Sequence, residues 1–270
     1  MDSPVELQPR ASELHAAGPA ATMLEPQPDP RVEELRGAAM RRLFPQRHVG
    51  RASPAMSRVA LRVHAHLAAA ATVEDLERRM QSPRDYPTEL IDEVRLRDGR
   101  SVLVRPVLPP DAPMHRAFVQ SMSAATRRNR FHAGVADLPD PVLRYLTEVD
   151  HLDHLALVGE VEEGAGTRLV AEARWVRRGD TPGTADFAIA IADDFQLSGL
   201  GNALLDMLQR SAVERGIERL CGHVLRNNLR MSRWLEARGW RMAHDPDDPG
   251  VVCAELPLAA SAAHPWREAA

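Results

Sequence analysis

The sequence predicts an α/β domain with a mostly antiparallel central sheet flanked by helices, preceded by a helical and partly disordered leader. Three observations lead there. Alternating apolar runs begin near Ile91 and recur to the end of the chain, the signature of half-buried strands. Two capped amphipathic helices interrupt the later runs, one after Gly201 and one after Asn228. The turn Gln196-Leu197-Ser198-Gly199-Leu200-Gly201 stands between an apolar alternating run and a strongly helical one, where a strand hands over to a helix.

Residues 1–30 mix Pro, Ala and Gly with scattered charge, lack periodicity, and read as disordered. Helical spacing follows at Val32, Leu35, Ala39 and Leu43, and again at Met56, Val59, Val63 and Leu67. A short capped helix is expected over residues 72–80, with Thr72 ahead of Glu74, Asp75 and Glu77. The leader is net basic between Arg41 and Arg62. That pattern suits a membrane surface, but helices packed on the domain or on a second subunit explain it equally well and are the expectation.

From Ile91 the run EVRLRDGRSVLVRPV reads as a hairpin around Asp98-Gly99. Pro109-Pro110-Asp111 ends it and starts a helix through Gln120; Ser123 caps a second helix toward Phe131, and residues 141–148 suggest a third. Strands are expected over residues 154–160 and 169–177, around a turn at 162–166, then over residues 185–192. Beyond the glycine turn lie a helix from Asn202, a buried strand over residues 219–225, a helix capped by Asn228 and closed by Gly239, and a last strand over residues 251–256. The expected organisation is a leader over 1–86, a domain over 87–258 and a flexible tail over 259–270.

A net charge of −4 with a pI near 6.3 gives no overall basic surface, so composition does not point to nucleic acid. No apolar run is long enough for a membrane span or a signal peptide, and a cytoplasmic protein is the expectation. Cys221 and Cys253 both fall in predicted strands, where small buried hydrophobes are expected rather than a disulfide. His64 and His66, and His151 and His154, lack recognisable further ligands, so no metal is expected. All 34 cationic side chains are arginine; there is no lysine. The chain therefore offers no side-chain amine of its own.

The turn at 196–201 has a definite chemistry. The first N–H groups of a helix are unpaired and converge on one point, with the positive end of the helix dipole behind them, so an anion fits there. Gly199 and Gly201 let the backbone approach a pyrophosphate.

With the strand, the Asn-capped helix and the Gly239-Trp240 close that follow it, this turn resembles the acetyl-coenzyme A loop of the GNAT superfamily of N-acetyltransferases, [QR]-x-x-G-x-[GA]. The run DFAIAIADDFQLSGLG is similar to the bacterial protein-lysine acetyltransferase branch, as are Asp150 to Val158 and the arginine-rich SAATRRNRF. The likeness covers roughly residues 90–257, and it implies a GNAT fold and acetyl transfer from acetyl-CoA to a primary amine, a protein lysine ε-amine first. The alternatives are a small polyamine-like acceptor, or an acyl-CoA-sensing module without turnover.

The resemblance further implies that Gln196, Leu197, Ser198, Gly199, Leu200 and Gly201 hold the pyrophosphate. It implies that backbone groups around Ile189 and Ile191 face the pantetheine and acetyl group, and that Asn228 contacts the coenzyme besides capping its helix. Asp186 stands where the branch has its catalytic glutamate, ten residues before the glutamine. Aspartate is one methylene shorter, and the plain alternative is a polar residue on a solvent-facing strand. His223 is the second candidate base. The position of the tyrosine acid used by many members is Leu235 here. Asp150, Asp153, Glu160 and Glu172 offer charge to a cationic acceptor, or are solvated surface. Self-association through the leader stays open.

Overall fold

The computed structural model describes residues 30–43, 54–68, 74, 86–164 and 166–258. The expected disordered start, all of the third leader helix but Glu74, and the tail lie outside them. Eight strands form one sheet in the order β1-β2-β3-β4-β5-β6-β8-β7. They are β1 (Asp92–Arg95), β2 (Ser101–Pro106), β3 (His154–Glu163), β4 (Gly166–Arg177), β5 (Thr184–Ile191), β6 (Arg219–Leu225), β7 (Arg241–His244) and β8 (Val251–Pro257). Every neighbouring pair is antiparallel except β5 and β6.

The described helices are α1 (Pro30–Leu43), α2 (Pro54–Ala68), α3 (Ala112–Ser121), α4 (Ala124–Phe131), α5 (Asp140–Thr147), α6 (Leu200–Glu214) and α7 (Leu229–Glu236). Local signals end where expected. Ser123 caps α4 by accepting from the Thr126 N–H at 3.2 Å, and Asn228 caps α7 by accepting from that of Met231 at 3.3 Å. The β1–β2 hairpin turns at Gly99, whose φ of +87° favours glycine. Strand β7 was not expected from sequence: its four residues are mostly exposed and pair only with β8 along one edge.

Helix α6 lies on the sheet through Leu200, Leu204, Leu205 and Leu208, all fully buried. Each such side chain contributes about 1.5–3 kcal/mol of burial. Trp175 on β4 donates its indole N–H to Ser211 Oγ at 3.0 Å, fixing α6 against the strand. This seat holds the N-terminus of α6 beside the end of β5.

Helices α1 and α2 pack on the other end of the sheet, with Val32, Val59, Val63 and Leu67 buried against Tyr86, Leu103 and Leu108. Leu35, expected on the apolar face of α1, is 37% exposed. Beneath α2, Arg105 pairs with Asp111 at 2.7 and 2.8 Å and with Glu160 at 2.9 Å, all three buried. Arg62 of α2 adds a bond to Glu160 at 2.7 Å. Burial opposes the charge on Arg105, but Asp111, Tyr86 and Glu160 outweigh it and raise the guanidinium above its ordinary value.

Replacing Arg105 by Met leaves the buried Asp111 without its main partner and Glu160 held by Arg62 alone. An unfolding free energy lower by about 3–5 kcal/mol is expected in urea titrations, and a loss below 1 kcal/mol would show that the network carries no such weight.

Candidate active site

Strands β5 and β6 pair only over Thr184↔Arg219, Ala185↔Leu220 and Asp186↔Cys221. From there β5 follows β4 as far as Ile191, and β6 follows β8 to Leu225. The parallel neighbours therefore part after Asp186. The Phe187 carbonyl turns toward β6, since a Cβ added to Gly222 would lie 3.6 Å from it. Alternation along the strand turns the N–H and C=O of Ile189 and Ile191 to the same side, into the opening.

The opening leads to the glycine turn. Leu197 has φ +62°, and Gly199, with φ +101°, is the N-cap of α6. At Gly199 the requirement is conformational: an added Cβ meets nothing nearer than Arg97 at 3.8 Å, but an L side chain is strained at that φ. At Gly201 the requirement is space, because a Cβ would sit 3.1 Å from Ile191 Cδ1. Ser198 donates its hydroxyl to the Phe195 carbonyl at 2.6 Å and holds the turn.

Gln196 joins three elements. Its amide nitrogen donates to the Ile191 carbonyl at 3.0 Å and to Thr126 Oγ1 at 3.4 Å, while its oxygen accepts from Arg230 at 2.8 Å. Its side chain is thus committed to bracing the turn. Two cations that sequence reasoning missed flank the turn: Arg230 on α7, and Arg97, whose N–H donates to the Ser198 carbonyl at 3.1 Å. Trp234 of α7 donates to Asn202 Oδ1 at 2.8 Å and ties the two helices together.

These residues enclose a cleft of about 410 Å³, lined by Ile189, Ala190 and Ile191, by the turn and by Asn228. Ser198 and Leu200 are buried and do not line it. A smaller cavity of about 70 Å³ shares the Ile189–Ala190 and Asn228 walls and reaches Gly222 and His223. An unpaired strand edge, a helix N-terminus and two arginines suit a ligand with an anionic end and an amide-bearing chain.

The alternate residues of β5 are Asp186, Ala188 and Ala190, of which Ala188 and Ala190 line the smaller cavity. The Asp186 side chain is 50% exposed and accepts from Arg178 at 2.7–2.8 Å; it lines neither cavity. His223 lines the smaller one, with its side chain 46% exposed. Beside Ala188 and Ala190, their register partners on β4, Arg174 and Glu172, are buried. Glu172 is bonded by Arg130 and Arg174 at 2.7 Å each, and by His115. Burial works to raise this carboxyl, but Arg174, Arg130 and His115 outweigh it and hold it well below the usual carboxylate range.

The four acids read as acceptor-attracting or solvated surface have other work. Glu160 and Glu172 are buried and paired, which corrects that expectation. Asp150 accepts from the N–H groups of Leu152, Asp153 and His154, and Asp153 pairs with Arg177 at 2.9 Å. His151 is buried edge-on to Tyr86, and His154 contacts Arg174 at 2.9 Å. Leu235 is buried, and neither of the two tyrosines lines the cavities. Both cysteines are free; Cys253 is only half-buried and donates its thiol to Asp245 at 3.2 Å, so it is not simply a small hydrophobe.

No family model matches the chain. Among its relatives, Acetyltransferase Pat of Mycolicibacterium smegmatis is 34% identical over 163 residues, 60% of this chain and 47% of that protein. Acetyltransferase PA5475 of Pseudomonas aeruginosa is 31% identical over 163 residues, 60% of this chain and 87% of that protein. The match thus spans about half of the first relative's length. Among solved structures, the GNAT domain of S. lividans PAT matches with a TM-score of 0.59 and 29% identity, over 64% of this chain and all of that domain.

Burial, reinforced by Arg174, pushes His154 down to about 4, and burial pushes His151 down to about 3, from 6.5. The unfolded chain takes up these protons as pH falls through 6.5, whereas the folded chain resists until about 4. Stability is therefore full above pH 6.5 and declines between 6.5 and 4. Between pH 7.5 and 5, His154 is expected to account for about 1–2 kcal/mol of the loss. Urea unfolding of wild type and His154→Gln at both pH values checks this; equal losses would remove His154 from the account.

Proposed function

Because the chain belongs to the GNAT superfamily of N-acetyltransferases, in its protein acetyltransferase branch, we propose that it moves the acetyl group of acetyl-CoA to a primary amine, a protein lysine ε-amine first. The observation that carries this reading is the parting of β5 and β6 directly above a glycine turn that opens α6. The residues present fit the coenzyme. The turn and Arg97 and Arg230 suit a pyrophosphate, and the edge at Ile189 and the Ile191 N–H, with the Ile191 carbonyl taken by Gln196, suits the amides of a pantetheine arm laid alongside it as an extra strand. Acetyl-CoA, when bound, supplies an activated thioester.

The chain's own part is to hold that thioester at the opening, aim a backbone N–H at the carbonyl oxygen where negative charge develops, and receive a proton. Preorganised donors of this kind stabilise developing charge without reorganising. A lysine amine has an ordinary pKa near 10.4, so a base must take its proton before the nitrogen bonds to the carbonyl carbon and the C–S bond breaks. A thiol of pKa near 8.5 leaves without a dedicated acid, consistent with Leu235 at the position of the family's tyrosine.

The resemblance puts the base at Asp186. One observation favours a second reading: His223 lines the cavity, while Asp186 stands outside it and is held by Arg178. In that reading Asp186 draws the cationic acceptor and His223 takes the proton. The absence of lysine means that labelled acetyl on any side-chain amine reports the acceptor and never the enzyme.

Thiol release from acetyl-CoA with a lysine-rich protein as acceptor tests the activity. Replacing the true base is expected to lower kcat by about 100-fold or more. Collapse in Asp186→Asn alone selects the first reading and collapse in His223→Gln alone the second. Coenzyme binding without thiol release, over protein, peptide and polyamine acceptors, would leave a sensing module instead. Gly199→Val is expected to weaken CoA binding by about tenfold or more, since a branched residue at that φ strains the turn. An unchanged affinity in a calorimetric titration would sink the assignment of the turn.

A further inference from the structure

At the outer end of the sheet, three side chains that chemistry uses for metals meet where the sequence separates them. His223 and Cys253 are direct cross-strand partners on β6 and β8, so their side chains leave the same face side by side. Asp245 follows β7, whose pairing with β8 brings Ala243 beside Cys253. His223 Nε2 lies 3.7 Å from Asp245 Oδ2, and Cys253 Sγ lies 3.2 Å from the same oxygen. All three donor atoms fall within 4.8 Å of one another.

The His223–Asp245 and Cys253–Asp245 separations are close to a tetrahedral edge, and the third pair, His223 and Cys253, lies within 4.8 Å. With metal–nitrogen, –oxygen and –sulfur bonds of about 2.0–2.3 Å, two ligands of a tetrahedral zinc stand about 3.3–3.8 Å apart. The support is also present. Asp245 Oδ1 accepts from the N–H groups of Asp247 at 2.9 Å and Asp248 at 3.1 Å, which points Oδ2 at the other two donors. Such outer bonds orient a ligand before the ion arrives. Imidazole, carboxylate and thiol together suit a borderline divalent cation, and zinc above magnesium or calcium.

We propose that His223, Asp245 and Cys253 form a three-ligand site for a zinc-type divalent ion, with the fourth position open to water or to a group from the neighbouring cavity. On binding, the ion forms a bond to Cys253 Sγ and displaces the thiol proton to solvent; the proton now shared with Asp245 is the one released. The site is regulatory by position. His223 also lines the smaller cavity, so an ion on it removes that imidazole as a proton acceptor and puts positive charge where a cationic amine would approach. The metal site itself stands or falls independently of acetyl transfer.

Cobalt(II) is the probe, added to the full chain with its thiols kept reduced by a phosphine. One equivalent is expected to produce tetrahedral d–d bands with a thiolate-to-cobalt charge-transfer band in the near ultraviolet, and zinc is expected to bleach both. Cys253→Ser is expected to abolish the charge-transfer band and Cys221→Ser to keep it. Asp245→Asn is expected to weaken binding by about tenfold or more. Thermal melts of the variants establish that they fold. A wild-type protein without the charge-transfer band, a band that survives Cys253→Ser, or one that disappears with Cys221→Ser would each overturn the site.

Discussion

The arrangement depends on one constraint: two parallel strands that pair over three residues and then part. A sheet edge left open inside a domain is costly, because its N–H and C=O groups lose water without gaining partners. Here the opening is kept by its surroundings. Gln196 takes the Ile191 carbonyl and braces α4 and α7 around it, while β6 commits its other edge to β8 along its whole length. Phe187 packs on Trp240 with ring centroids 5.1 Å apart and comes within 3.5 Å of where a Cβ at Gly222 would stand. Closing the ladder would mean undoing the Gln196 and Phe187 contacts. The edge that results keeps the backbone groups of Ile189 unpaired with β6, while Gln196 occupies the Ile191 carbonyl; an extended chain can pair with such an edge.

Around this opening the molecule keeps its charges in two regimes. In one, two clusters are buried and ion-paired: Arg105 with Asp111 and Glu160 under α2, and Glu172 with Arg130, Arg174 and His115 on β4, where Arg130 Nε and His115 Nδ1 have no hydrogen-bond partner. Such networks are poor sources of net stability, because each ion pays most of its attraction back in lost hydration. Their effect is positional. The Glu172 network clamps β4 to α4, whose Thr126 is in turn reached by Gln196, so a buried charge cluster and the glycine turn share one mechanical path. In the other, Arg97 and Arg230 line the cleft rather than the core, Arg230 also donating to Gln196 Oε1 at 2.8 Å.

How much of this was legible in the sequence follows from the range of each signal. The glycine turn, the Asn228 and Ser123 caps, the Asp98-Gly99 hairpin and the strand over residues 219–225 all depend on near neighbours, and local pattern places them within a residue or two. Strand β7 was missed because RMAH carries no apolar alternation; β8 makes it a strand. Arg97 was missed because only the packing of the hairpin on the turn, 100 residues downstream, gives it a role. Glu160 and Glu172 looked like surface because their partners, Arg105 and Arg130, lie more than 40 residues away in sequence. The His223, Asp245 and Cys253 cluster is the extreme case: nothing in their spacing suggests a ligand set, and only the β6–β8–β7 register brings them together.

The substitution of aspartate for the branch's glutamate gains meaning from that same register. Asp186 pairs with Cys221 at the last rung before the strands part, so its backbone is fixed, and the shorter side chain turns to Arg178 rather than into the cavity. His223 lies two residues beyond Cys221 on β6, on the same face, already past the point of separation. A base is useful only within hydrogen-bond reach of the proton it takes. Of the two residues, His223 lines the smaller cavity, whereas Asp186 lines neither cavity and is held by Arg178. His223 Nε2 lies 3.7 Å from Asp245 Oδ2, the same oxygen that accepts from the Cys253 thiol at 3.2 Å, so the imidazole and the thiol share one carboxylate neighbour.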